Sequence, residues 1–245
     1  MLRVEGIRKS FDRFNALSGA DLHVGSGKIV AVIGPNGAGK STMFKIITGH
    51  LKPEGGRVLF GGEPISSLSP HEICRKGIGM AFQIVNIFSR MSVFENVQAA
   101  VLSRTRQAGN IFRAASKMAV GETMEILASV GLREKAGSIA GKLSYGDQKV
   151  LEIAIALSTS PRLLILDEPT AGMSSEEAAV CTGLIRRLTA EQGLTVLFCE
   201  HNIELVLSLS DEIMVLQGGK TIIQDCPEAV CKSPAVRDAY LGGAA

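Results

Sequence analysis

Short, wholly apolar runs recur along this chain, separated by stretches in which apolar residues return every three or four positions. Ile29 to Ile33 reads Ile-Val-Ala-Val-Ile, the pattern of a strand buried on both faces. Ile78 to Phe82, Leu163 to Leu166, Leu194 to Cys199 and Ile213 to Leu216 share that character. Ala20 to Val24 alternates instead, as a strand with one face in water does. Arg57 to Phe60 closes on Gly61-Gly62, and Gly218-Gly219 turns the chain into Thr221 to Ile223. Helical periodicity runs from Ser41 to Thr48 and ends at Gly49. Ser92 and Glu95 have the spacing of a capping box, as do Ser174 and Glu177. Gly121 to Val130 is helical up to Gly131, Gly146 to Ser158 follows, and Pro234 to Leu241 predicts a short terminal helix. Alternating strands and helices predict an α/β fold with a mostly parallel sheet. The helical pattern from Ser92 to Ser158 interrupts it as a candidate subdomain.

Composition narrows the class. At 245 residues the chain forms one large domain or a core with a subdomain. A hydrophobic share of 46%, 20% charged residues and a mean hydropathy of +0.23 exclude disorder. They also hint at apolar surface covered by a partner, although a large α/β core explains them equally. Lys and Arg number 26 against 24 Asp and Glu, so no basic footprint for nucleic acid is expected. The five cysteines lack zinc-site spacing and are expected as free thiols in a reducing compartment. Met1 to Glu5 does not read as a signal peptide. No apolar run reaches the roughly 18 residues of a membrane span, so work at a membrane would pass through another subunit.

Candidate chemistry begins at Gly34-Pro35-Asn36-Gly37-Ala38-Gly39-Lys40-Ser41, which matches G-x-x-x-x-G-K-[ST] between a strand and a helix. Gly37 and Gly39 let successive backbone N–H groups turn toward phosphate oxygens, and the helix beginning near Ser41 adds its positive end. Lys40 is expected at the β- and γ-phosphates, Ser41 on Mg²⁺, and Thr42 beside them. The alternative is a glycine-rich turn with a chance Lys-Ser. Leu163 to Leu166 delivers Asp167 and Glu168 to the carboxyl edge of the sheet, where α/β folds bind ligands. Asp167 is expected to hold Mg²⁺ through water, and Glu168 to orient the attacking water of a hydrolysed MgATP. The plainer alternative is a strand ending in a solvated turn. Leu143-Ser144-Tyr145-Gly146-Asp147 opens another helix and would offer a second anion-binding end, or simply a Ser144 cap.

Together these motifs resemble the nucleotide-binding subunit of ATP-binding-cassette (ABC) transporters, along essentially the whole chain. Leu143 to Asp147 is similar to that family's Leu-Ser-Gly-Gly-Gln signature. Gln83 resembles the Q-loop glutamine, His201 the switch histidine, and Ala171 to Ser174 the D-loop. Phe11 stands where an adenine-stacking aromatic is expected, with Phe14 as competitor. The resemblance implies a P-loop NTPase core with a mostly parallel sheet and an antiparallel β subdomain, at about 1–85 and 160–245, and an inserted helical subdomain at about 86–159. It implies that Glu168, His201 and Gln83 act in ATP hydrolysis, with Ser41, Gln83 and Asp167 on Mg²⁺. Ser144 and Gly146 would close on nucleotide held by a second copy or a paralogue. Implied partners are integral-membrane permeases and, indirectly, a substrate-binding protein, with the chain peripheral on the cytoplasmic face. Phe82 to Phe88 with Ser92 to Val97, Leu143 to Gly146 with Leu151 to Ala154, and the tail Pro234 to Gly242 resemble the importers for branched-chain amino acids or urea.

The chain departs from the family pattern at Asp147, where glutamine is commoner, and at Asn202, where aspartate is usual. The D-loop also lacks its aspartate. Asp147 is expected to turn away from phosphate, toward Lys149 or solvent. Other classes are an ABC-type ATPase that moves no solute, a small-molecule kinase with the same loop, and a non-hydrolysing binder.

Overall fold

A computed structural model of the chain describes residues 1–12, 14–105 and 118–236. Four strands, β1 (Leu2–Phe11), β2 (Phe14–Val24), β4 (Gly55–Phe60) and β5 (Glu63–Pro64), form an antiparallel sheet in the order β2-β1-β4-β5. Six others form the central sheet: β3 (Ile29–Ile33), β6 (Ile78–Ala81), β7 (Leu163–Asp167), β8 (Thr195–Cys199), β9 (Glu212–Gln217) and β10 (Lys220–Asp225). Their order is β10-β9-β3-β8-β7-β6, parallel except at the β9–β10 edge. The two sheets meet where Asp21 and His23 of β2 hydrogen-bond the side chains of Thr221 and Gln224 of β10.

The apolar runs of the central strands are buried on both faces because two cores flank the sheet. Ile29, Ala31 and Ile33 of β3 enter one core with Leu164 and Leu166 of β7. Val30, Val32, Leu163 and Ile165 enter the other, beside α1 (Lys40–Ile47) and the antiparallel sheet. The first core is covered by α3 (Val93–Arg104), α4 (Val120–Ser129), α5 (Tyr145–Leu157) and α6 (Ser175–Gln192). Its apolar residues run from the sheet into α3, α4 and α5 without a break.

The capping boxes at Ser92/Glu95 and Ser174/Glu177 both form and begin α3 and α6. A third one, Ser69/Glu72 with Pro70 at the first helical position, starts α2 (Pro70–Arg75). That helix is too short to leave a periodic signal, and the sequence pattern does not predict it. The alternating strand at Ala20 extends back to Phe14 as β2. Two helices also lie outside the expectations, α7 (Ile203–Leu209) and α8 (Pro227–Lys232). The expected terminal helix and the importer-like tail pass, from residue 237 on, outside the described residues.

Candidate functional site

The strand β3 ends in the glycine loop at the carboxyl edge of the central sheet, between β8 and β9. Gly39 takes φ 107, a left-handed conformation, and a Cβ there would stand 2.4 Å from the Ala16 carbonyl oxygen. Only glycine fits both constraints. Gly39 is also the N-cap of α1 and offers no side chain to its free amides, which leaves those donors for an anion. Lys40 is buried at 7% exposure, and its ammonium donates to the carbonyls of Gly34 (2.7 Å) and Pro35 (3.2 Å). The lysine is thus folded back onto its own loop.

Facing the loop across a cavity of about 200 Å³ stand Glu168 and His201, with Asn36 to Thr42 as the opposite wall. Glu168 follows β7 with φ 52, in the left-handed region that glutamate rarely adopts. Its amide donates to the Cys199 carbonyl of the neighbouring strand (3.1 Å), which holds that turn in place. Backbone strain of this kind persists where surroundings over-determine it, and it clusters at functional sites. The turn swings the carboxylate between two groups. Oε2 accepts from Gln83 Nε2 and Oε1 contacts His201 Nε2, each at 2.9 Å. Residues 85 and 33 positions apart in sequence thereby join one cluster.

Asp167 ends β7 and is 6% exposed. Its Oδ1 accepts from the Cys199 thiol at 2.8 Å, across the β7–β8 pairing. Burial, with Asp167 beside it, pushes that thiol far above the ordinary cysteine range. Glu200 braces the segment after Glu168 by accepting from the Thr170 amide (2.7 Å) and hydroxyl (2.6 Å). Phe14, 57% exposed, lines the cavity, whereas Phe11 does not. Phe11 pairs with Phe14 across the β1–β2 ladder and lies under the Lys9 ammonium, 5.6 Å from its ring centre.

Ser144 and Gly146 do not line this cavity. Ser144 caps α5 by accepting from the Asp147 amide (3.2 Å). The groups at this helix end face Glu177 of α6. A Cβ on Gly146 would stand 2.6 Å from Glu177 Oε1. Bonds from the Ser174 amide and hydroxyl, and further ones from Ser144 and Gly146, hold the Glu177 carboxyl below the usual carboxylate range. Asp147 pairs with Lys135. Lys149, expected to serve it, is buried and donates to the carbonyls of Phe82 (3.1 Å) and Gln83 (2.5 Å). Asn202 caps α7 by accepting from the Leu205 amide at 3.1 Å, a role that asparagine fills as well as aspartate.

Sequence reasoning did not assign Cys199, Glu200, Lys149 or Glu177 to the site. A signal for Glu177 was present, since its capping box places it next to the D-loop. Cys199 could have been found only from the register that sets it opposite Asp167.

The family profile described as ABC transporter matches residues 17–171. The high-affinity branched-chain amino acid transport ATP-binding protein BraF of Pseudomonas aeruginosa is 40% identical over 251 aligned residues, covering 100% of this chain and 98% of that protein. LivG of Escherichia coli, with the same description, is 36% identical with the same coverage. The crystal structure of a nucleotide-free ATP-binding cassette from an ABC transporter superposes with TM-score 0.86 at 32% identity, over 98% of each chain. A dimeric cassette in a post-hydrolysis state, bound to ADP and Pi, superposes with TM-score 0.79 at 26% identity, over 93% of this chain and 99% of that one.

Proposed function

The chain belongs to the ABC transporter family as an ATPase coupled to transport, and from that premise we propose that it powers an importer for branched-chain amino acids or a related small polar solute. The full-length likeness to BraF and LivG supports the solute class. The observation that carries the site is the Glu168 carboxylate, held 2.9 Å from both Gln83 and His201 and facing the glycine loop across one cavity.

In this proposal the amides of Gly37 to Ser41 and the N-terminus of α1 receive the phosphates of ATP. Lys40 leaves the Gly34 and Pro35 carbonyls for the β- and γ-phosphates, exchanging neutral acceptors for charged ones. Phe14, exposed on the cavity wall, offers its face to adenine, and Phe11 is set aside. Asp167, Ser41 and Gln83 form an all-oxygen donor set that suits Mg²⁺, which keeps waters and substrate phosphates among its ligands. When bound, that ion would neutralise charge developing on the phosphates. The Cys199 thiol occupies one Asp167 oxygen and leaves the other for the ion or its water. Glu168 accepts the proton of the attacking water, and His201 fixes the carboxylate's direction.

Ser144 and Gly146 lie outside this cavity, which fits a role toward nucleotide held by a second subunit. Two copies, or one copy and a paralogue, would close head to tail, each α5 end meeting the other's γ-phosphate. Among the described residues no helix is long and apolar enough to cross a membrane. Coupling then passes through permease subunits docked beside Gln83 on the cytoplasmic face. A groove of about 400 Å³ between α2, β6 and α5 lies there, walled by Phe82, Asn86 and Glu152.

The test is uptake of labelled leucine and urea into proteoliposomes containing the chain, the membrane subunits that co-purify with it and their binding protein. ATP-dependent accumulation of leucine is expected. Hydrolysis by the complete assembly with no accumulation of either solute would overturn the importer reading.

A further inference from the structure

Tyr145 opens α5 at the place where the signature pattern quoted above has glycine, and its side chain is partly exposed. The edge of its ring lies against Gly172 of the D-loop. A Cβ on that glycine would stand 3.1 Å from Tyr145 Cε1, and the next nearest atoms, Cδ1 and Cζ at 3.7 Å, belong to the same ring. Gly172 also takes φ 78, a left-handed conformation, so the turn and the ring both favour glycine there. A reciprocal contact lies beside it, where Glu177 of α6 approaches Gly146 of α5. The first turn of α5 and the segment from Gly172 to Glu177 are thus interlocked. Each presents a bare glycine to a side chain of the other.

The D-loop leads straight back to Glu168. The Ala171 amide donates to the Glu168 carbonyl (3.3 Å) and the Met173 amide to the Thr170 carbonyl (3.1 Å), which winds this segment into consecutive turns. Glu200 holds Thr170 from one side, and Ser174 begins α6 on the other. Between those two anchors, the Tyr145 ring packs on the turn. Coupling between distant groups travels through packed side chains and hydrogen bonds of this kind. We propose that Tyr145 is a positioning residue for Glu168: its ring makes the first turn of α5 and the turn after Glu168 one body, so that a terminal phosphate met by α5 on a second subunit also sets the chain's own general base. The inference rests on the subunit closure proposed above. It adds which side chain links the two sites, and by which contact.

Phenylalanine keeps a ring on Gly172 and alanine removes it. Hydrogen exchange of the Ala171 and Met173 amides, followed by NMR on the nucleotide-free single chain, reads the contact itself. Turnover at saturating MgATP reads its effect on Glu168. In Tyr145→Ala both amides should exchange about tenfold faster or more, as a locally opened segment does. Its kcat should fall about tenfold or more, since a misplacement of about 1 Å costs up to about 10²-fold, while KM for ATP and single-chain ATP affinity stay within about twofold. Tyr145→Phe should match wild type in every measurement. Cooperative melting of each variant verifies its fold. If Tyr145→Ala does not melt cooperatively, Tyr145→Leu takes its place with the same expected outcome. A Tyr145→Ala chain with wild-type turnover overturns the proposal. So does one whose turnover falls while the two amides exchange as before, because the ring would then act directly on the second subunit's nucleotide. So does a Tyr145→Phe chain as slow as Tyr145→Ala. A wild-type rate per chain that does not rise with protein concentration overturns the closure between subunits itself, which is a distinct outcome.

Discussion

Replacing Glu168 with glutamine separates chemistry from binding. The substitution keeps volume and backbone, and the glutamine would carry the same left-handed φ of 52 at the same cost. An accepting oxygen remains for one neighbour, but the charge and the proton-accepting lone pair are lost. The pair with His201 joins side chains 50% and 16% exposed, a setting in which an ion pair contributes less than about 1 kcal/mol. For a chain of this size that corresponds to a shift of at most about 2–4 °C in Tm, so the fold survives. Loss of a positioned general base removes about 10²–10⁴ in rate, which is about 3–5 kcal/mol of barrier at about 1.4 kcal/mol per decade. Phosphate release measured at saturating MgATP should fall by that factor. Nucleotide affinity should hold, because the loop and α1 are untouched, and an ATP-dependent dimer should accumulate on size exclusion. Turnover within about threefold of wild type would refute the assignment of Glu168 as base.

Three further outcomes are expected. Lys40→Ala removes a buried ammonium that in the proposal leaves the Gly34 and Pro35 carbonyls for the phosphates, and hydrogen bonds to charged groups contribute about 1.5–3 kcal/mol, so ATP affinity by calorimetry should drop at least tenfold; unchanged affinity would refute the cradle. Ser144→Arg acts outside the 200 Å³ cavity, so nucleotide affinity of the single chain should stay within about twofold while turnover falls about 10²-fold or more, in the range of one lost transition-state donor; joint loss of affinity would refute closure in trans. Thiol labelling should find Cys226 and Cys231 fast, Cys74 slower, and Cys181 and Cys199 protected until denaturant is added. Burial, with Glu200 nearby, pushes Cys181 up to about 12, and fast labelling of Cys199 in the native protein would contradict the thiol bond to Asp167.

The central strands were legible because burial on both faces leaves an unbroken apolar run, as in Ile29 to Ile33 and Leu163 to Leu166. The capping boxes were legible because a serine and a glutamate three positions apart suffice to write them. The glycine loop was legible because its backbone demands glycine, as the Ala16 carbonyl does at Gly39. What stayed hidden depends on register. Phe11 stands at the expected position in sequence with Phe14 as competitor, and only the folded structure shows that Phe14 is the one on the cavity wall. Cys199 gains its contact from the pairing of β7 with β8, a relation that no local pattern encodes. Lys149 and Glu152 sit three apart on a helix, as exposed charge pairs do, and their burial follows from the packing of the loop after β6. The same burial sends Asp147 to Lys135 rather than to Lys149.

The Glu177 carboxylate against Gly146 gives the proposed subunit closure the character of an ion exchange. The start of α5 already holds an anion of the chain's own, supplied by α6 one turn past the D-loop. On the proposed closure, a γ-phosphate arriving from a second subunit would meet no vacant seat; it would have to displace a singly charged tenant that is tethered and never diffuses away. The stability of the closed pair is then the difference between two anions competing for the same donors. Once the terminal phosphate is cleaved and leaves, the tethered carboxylate returns at a local concentration no solute can match. The pair would thus be prised apart from within, by a side chain that takes no part in the cleavage.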